Sequence, residues 1–205
     1  MRKVALAVLA AALSALPATA SVLDFNDLAT TQVFAGAYAP VHWDTVPTSY
    51  DGYIWTNWEV IEGQDFDVGY ETSIFTGPFP ENALYNGGDG FATTTISSSN
   101  PFDLLSGTFS SWPNIGGAAA GSITVTGYNG SNVVGSTVVS LTTGFTPTTL
   151  NLDNVTSVTF TAPAEGQYWL TNGLDLTSSP EPSSIWLFVL AFPLMAVAKL
   201  RFRQR

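Results

Sequence analysis

From Ser21 to Ser179 the chain carries fifteen Asp or Glu and one His, but no Lys or Arg. All six cations lie outside that stretch: Arg2 and Lys3 at one end, Lys199, Arg201, Arg203 and Arg205 at the other. The net charge of -10 therefore hides a strongly anionic body between two basic ends. Such a body can form no Lys or Arg salt bridge, and its carboxylates mainly repel one another. Repulsion raises carboxyl pKa values, so stability is expected to fall as pH climbs through them. It also has no cation to neutralise phosphate, which excludes nucleic acid as a partner.

The N-terminal end has the three parts of a secretory signal peptide. Met1-Arg2-Lys3 is the positive region, Val4 to Leu16 the apolar region, and Ala18-Thr19-Ala20 a small-x-small cleavage site. Cleavage after Ala20 makes Ser21 the mature N-terminus. Residues 1–20 are thus expected to meet the Sec export machinery and signal peptidase.

At the other end, a linker over 178–184 holds Pro180-Glu181-Pro182, an apolar run covers 185–198, and 199–205 is a basic tail. As a helix the run is about 21 Å long at 1.5 Å per residue, short of a ~30 Å hydrocarbon core. Flanking Ser183, Ser184 and a snorkelling Lys199 extend it to a tilted or thinned span. Pro193 would kink it. The basic tail stays cytoplasmic and leaves the body outside.

Pro-Glu-Pro, an apolar span and an Arg-rich tail, in that order, resemble the PEP-CTERM sorting signal of Gram-negative bacteria. The resemblance covers Pro180 to Arg205 and implies handling by an exosortase, an integral-membrane cysteine enzyme that cuts near the motif and passes the protein outward. Pro180, Glu181 and Pro182 would be the recognition motif. It further implies an inner-membrane intermediate and final delivery to the cell surface or an exopolysaccharide matrix. The tail departs from a pure Arg tract at Leu200, Phe202 and Gln204.

The body, residues 21–177, is long enough for one domain with a real core and has no cysteine, so it must stand without disulfides. Thr, Ser, Val, Gly and aromatics dominate, which is strand composition. Ser122 to Thr126 alternates with period 2, and Tyr128-Asn129-Gly130 supplies a hairpin turn into Asn132 to Leu141. Tyr53 to Ile61, Phe91 to Ile96, Leu104 to Ser110, Thr148 to Leu152, Val155 to Thr161 and Gln167 to Leu176 read as further strands. No 3.6-residue period persists beyond two turns. The fold class predicted is all-β, a jelly-roll-like β-sandwich. Gly87-Gly88-Asp89-Gly90 and Gly116 to Gly121 read as loops; without a following helix or Lys they are not phosphate cradles.

Several landmarks also resemble a loosely defined group of exported β-sandwich domains: Phe25-Asn26-Asp27-Leu28, Tyr50 to Trp58, Pro101 to Gly107, Gly127-Tyr128 and Leu174-Asp175-Leu176. The resemblance implies an architecture similar to carbohydrate-binding modules.

Catalytic motifs are sparse. His42, the single histidine, lies in what reads as an irregular stretch, Ala39 to Asp44, with no Gly-x-Ser-x-Gly elbow anywhere and no thiol. One His without Cys cannot make a zinc site. Asp65 and Asp67 would share a strand face, as a glycosidase pair needs, but fifteen acids produce such pairs by chance. The body is read as no enzyme, with a secreted glycan-active hydrolase as the alternative. Structural Ca2+ suits hard oxygen ligands, and Asp24, Asn26 and Asp27 with Asp175 are the set that would form if first and last strands meet; a solvated acidic face is the other reading. Sugar rings stack on exposed aromatics, and Trp43, Tyr50 and Trp55 are the candidate glycan-binding residues, although strands also bury aromatics as core. Polysaccharide binding and a purely structural or adhesive spacer both remain open at this stage.

Overall fold

The computed structural model describes residues 21–35, 40–63, 82–87, 90–112 and 118–178. Ala18 and Ala20, Asp65 and Asp67, Gly88-Asp89, Gly116-Gly117, Pro180-Glu181-Pro182, the apolar run 185–198 and the basic tail lie outside them.

Thirteen strands are hydrogen-bonded into one folded-over sheet: β1 (Ser21–Leu23), β2 (Gln32–Ala35), β3 (Pro40–Thr45), β4 (Ser49–Tyr50), β5 (Tyr53–Thr56), β6 (Glu59–Glu62), β7 (Asn82–Tyr85), β8 (Thr93–Ser111), β9 (Ala118–Ala119), β10 (Ser122–Asn129), β11 (Asn132–Ser140), β12 (Thr146–Thr161) and β13 (Gln167–Ser178). The main path runs β11-β10-β12-β8-β13-β7-β6-β3-β2. The protein is all-β in its described residues, a sandwich whose two layers share their longest strands.

The sharing has a local cause. Strand β8 pairs with β12 along most of its length, but on its other side it meets β5 at 95–97 and β13 at 102–111. The β8–β12 register slips three times between Thr149 and Ser157. Asn151 and Asn154 there take left-handed φ values of 51° and 55°, which Asn tolerates better than most residues. Asp103 Oδ1 accepts a 2.7 Å hydrogen bond from Asn154 N and pins the bend. The predicted pairs of strands at 91–96 and 104–110, and at 148–152 and 155–161, are therefore each one bent strand. The turn-like residues between them mark bulges, not loops.

Between the layers lies an aromatic core. Trp58 meets Trp55 at 5.6 Å, Trp169 at 5.3 Å and Phe160 at 5.3 Å between ring centroids, all edge to face. Such pairs add about 0.5–1.5 kcal/mol each beyond area burial. A second cluster, including Val41, Ile61, Tyr85, Trp112 and Leu170, covers the opposite face of β3, β6, β7 and β13. Strand β7 is buried on both sides, all four of its residues included, and so shows no alternation.

Two further departures concern the N-terminal half. The stretch around His42 is strand β3 rather than irregular. The run 53–61 is two strands, broken at Asn57 with φ 63°.

Candidate functional site

Strand β5 follows period 2: Tyr53 and Trp55 are buried, Ile54 and Thr56 exposed. Continued alternation would turn Trp58 outward. The left-handed Asn57 cancels that step, so Trp58 also points into the core and is 2 % exposed. Asn57 is held in place by its Nδ2–H donating to Thr93 O at 3.0 Å. The corner it makes borders a pocket of about 310 Å3.

Three groups of residues line this pocket. Val46, Trp55 and Trp58 supply buried apolar surface, and Phe91, half-exposed, adds a ring. Thr45, Thr48 and Thr56 bring hydroxyls, and Asn57 an amide. Glu59 brings the carboxylate; it faces Thr45 across the β3–β6 ladder. Its Oε2 accepts a hydrogen bond from the Tyr85 hydroxyl, which orients the group.

Phe91 is positioned by buried Asn86, whose Nδ2 donates to Phe91 O at 2.9 Å and to Gln167 O at 2.8 Å. Asn86 Oδ1 accepts from Trp169 N at 3.3 Å. Gly87 completes the loop with φ 70°; a Cβ on it would stand 2.6 Å from Phe91 Cδ2. A glycine is needed there for both reasons.

Of the three predicted glycan residues, Tyr50 and Trp55 are in contact and Trp43 stands apart. Trp55 is 3 % exposed, and its Nε1–H donates to Tyr50 O at 2.9 Å. It belongs to the core and contributes a buried wall to the pocket rather than an exposed ring. Tyr50 is half-buried against Phe25 and Trp55, and its hydroxyl donates to Asp27 Oδ1 at 2.6 Å. Trp43 is half-buried within β3, between Gln32 and Ile61, and does not line the pocket. No motif in the sequence marks Asn57 or Phe91 as site residues, and Glu59 stands there only as one of the acids near Asp65 and Asp67. The one local hint is an Asn between two aromatics of a strand, a residue suited to breaking the alternation.

The metal candidates come from the loop after β1 and from β13. Strands β1 and β13 do pair, with Val22 opposite Asp175. Asp24 Oδ1 accepts from Asn26 N at 3.3 Å, Asn26 Oδ1 from Asn82 N at 3.3 Å, and Asp27 is taken by Tyr50. Asp175 Oδ1 is buried with no hydrogen-bond partner among the described residues. Among those residues no group of three or more His, Cys, Asp or Glu is arranged to hold a metal ion.

His42 Nδ1 lies 3.5 Å from Glu62 Oε2 across β3 and β6. Asp44 engages other partners, accepting from the Thr31 hydroxyl at 2.6 Å, Gln32 Nε2 at 3.0 Å and Thr45 N at 2.8 Å. These bonds, the Thr31 hydroxyl foremost, hold its carboxyl below the usual range. At Asp44 the fold thus favours the charged form, against the expectation from repulsion.

No protein-family model and no curated protein matches the chain. Among solved structures it is similar to the K2 cleaved adhesin domain of Lys-gingipain, with 14% identity and a TM-score of 0.44 over 78% of this chain and 100% of that one. It is also similar to a Streptococcus pneumoniae fucose binding module, with 10% identity and a TM-score of 0.36 over 71% and 94% of the two chains. A third is the CBM22-1-CBM22-2 tandem domain of Paenibacillus barcinonensis Xyn10C, with 14% identity and a TM-score of 0.39 over 82% and 48%.

Proposed function

We propose that the chain is a non-catalytic protein of the cell surface or extracellular matrix, and that its jelly-roll-like body binds a glycan unit in the pocket beside Asn57. One arrangement carries the reading. Rings of Trp55, Trp58 and Phe91 share a ≈ 310 Å3 pocket with the Asn57 amide, the Glu59 carboxylate and three threonine hydroxyls. Apolar surface with a few fixed polar groups suits a sugar, whose C–H face lies on a ring while its hydroxyls meet amide and carboxylate. The volume is at the small end of the roughly 300–1,000 Å3 typical of ligand pockets, which favours a terminal or single residue.

Delivery is supported by the two ends. The signal-peptide pattern closing at Ala18 and Ala20 leads the chain to Sec and signal peptidase, and Pro180-Glu181-Pro182 with the apolar run and basic tail leads it to an exosortase. Mass spectrometry of protein from cells and medium tests this: the expected mature N-terminus is Ser21, with a cut near Pro180–Pro182. Full-length chain dissolved in cytosol, Met1 and Arg205 intact, would end the reading.

Calorimetry against a panel of neutral oligosaccharides and polysaccharides tests the pocket. Saturable heat is expected, with Phe91→Ala weakening binding by about tenfold, or ~1.4 kcal/mol, and Glu59→Gln by less. Equal affinity in both variants would move the site elsewhere. No heat from any glycan would leave a structural spacer.

A further inference from the structure

Strand β11 ends the sheet path. It pairs with β10 on one edge, and among the described residues no strand pairs with the other. An open edge presents a row of backbone N–H and C=O groups to solvent, and natural sheets guard such edges with Lys, Pro or short strands. This one is nine residues long, Asn-Val-Val-Gly-Ser-Thr-Val-Val-Ser, without a charge or a proline. Val133, Val134 and Val138 are 60, 47 and 66 % exposed. Its single guard is a bulge in β11 itself. Val134 is the extra residue between the Gly127–Gly135 and Tyr128–Val133 pairs, and its unpaired backbone is turned from β10 towards the open edge.

Open backbone groups in a row ask for another strand rather than a small ligand. The sequence of β11 indicates which strand. It reads nearly the same in both directions about Ser136: Val133-Val134 mirrors Val138-Val139, Asn132 mirrors Ser140, and Gly135 mirrors Thr137. Charge points the same way. Fourteen of the fifteen acids between Ser21 and Ser179 lie outside residues 122–161, where Asp153 stands alone. Two copies of this anionic body repel one another elsewhere, and approach at β11 without that opposition.

We infer that β11 is a homodimer seam. It pairs antiparallel with β11 of a second copy, Ser136 opposite its own counterpart, so that the sheet continues across a two-fold axis. In this register the exposed Val138 of each copy faces Val134 of the other, and valine-on-valine pairs flank the axis on both sides. The inference is independent of the pocket.

The chain has no cysteine, so a single introduced thiol can form a disulfide only between copies. At the axis, antiparallel Cα atoms would be about 4.5–5.5 Å apart, inside the ~4.4–6.8 Å reach of a disulfide. Positions 132 and 140 would each lie ~27 Å from their own counterparts at ~3.4 Å per residue. Non-reducing gels of cells making full-length S136C, N132C or S140C test the register. A disulfide dimer is expected for S136C alone; dimers from all three, or from none, would overturn the seam. Sedimentation of the exported chain supplies a second readout. The unsubstituted protein should have twice the monomer mass, V138K the monomer mass with an unchanged far-ultraviolet circular dichroism spectrum, and V134E/V138K twice again as new opposite charges meet across the axis. A monomeric unsubstituted chain, or a V138K chain that stays dimeric, would equally overturn it.

Discussion

Tyr50 donates a 2.6 Å hydrogen bond from its hydroxyl to Asp27 Oδ1, fastening the loop after β1 to the β4–β5 hairpin. The hairpin turns through Asp51 and Gly52, both with positive φ, so its geometry is set locally and the tyrosine reaches across to a distant segment. Burial, and then the Asp27 bond and charge, push the Tyr50 hydroxyl well above its ordinary range. Tyr50→Phe should cost about 1 kcal/mol in urea unfolding at neutral pH. The folded state holds this proton more tightly than the unfolded state does. The bond's contribution is therefore whole below about pH 10, and it is lost as pH rises through the folded value. Unsubstituted and variant proteins should converge in alkali; an unchanged gap at pH 11 would contradict the linkage.

Gly90 and Gly130 share a left-handed backbone, with φ of 62° and 60°, but not an environment. A Cβ on Gly130 would meet open space, whereas on Gly90 it would lie 2.9 Å from Gly166 Cα and 3.0 Å from Tyr168 Cζ. Gly130→Ala should cost about 1 kcal/mol, from backbone conformation alone. Gly90→Ala adds overpacking, for a total of about 2–4 kcal/mol, and by moving Phe91 it should also weaken the pocket's ligand. Equal urea midpoints for the two variants would show that the contact at Gly166 yields freely.

The parts of this fold that are legible in sequence are those with one wet face. Strands β10 and β11 show alternation and a Gly turn because a single side of the hairpin is buried, and β13 has enough aromatic and β-branched residues to stand out. Strand β7 escapes such reading because Asn82 to Tyr85 is buried on both faces and so has no period. Strand β8 looks interrupted because Ser99, Asn100 and Pro101 have loop chemistry, yet β12 pairs on both sides of that bend. The pocket is less legible still. Thr45 and Glu59 meet through a ladder, and Phe91 is set by Asn86 bonding to Gln167, 81 residues away. Nor does composition say which tryptophan is exposed. One dihedral angle, at Asn57, decides that Trp58 joins Trp55 inside.

Asp44 gives the acid limb a testable origin. Its carboxyl titrates lower in the fold, chiefly through the Thr31 hydroxyl and then the Gln32 amide. The contribution is thus present above the unfolded carboxyl value near 3.9, and it is lost as pH falls through the lower folded value. Thermal melts of the unsubstituted chain and Asp44→Asn should differ at pH 6 and converge towards pH 2–3. A larger gap in acid than at neutrality would assign the carboxylate to net repulsion instead.

Asp175 separates the metal reading from a simpler one. On β13 it faces Val22 on one side and Ser106 on the other, and among the described residues its buried Oδ1 has no donor. A buried acceptor left unpaired costs about 1–3 kcal/mol. Asn26 and Asp27 spend oxygens on Asn82 N and Tyr50 while Asp24 accepts from Asn26 N, and among the described residues no group of three acids or histidines gathers around Asp175. Asp175→Thr keeps strand propensity while removing the carboxylate, and should raise stability by about 1 kcal/mol. The gain should be the same in Ca2+ and in chelator, with the unsubstituted melting temperature indifferent to either. A calcium-dependent rise in melting that Asp175→Thr abolishes would instead make the orphaned oxygen a ligand, and would draw Asp24, Asn26 and Asp27 back into one site.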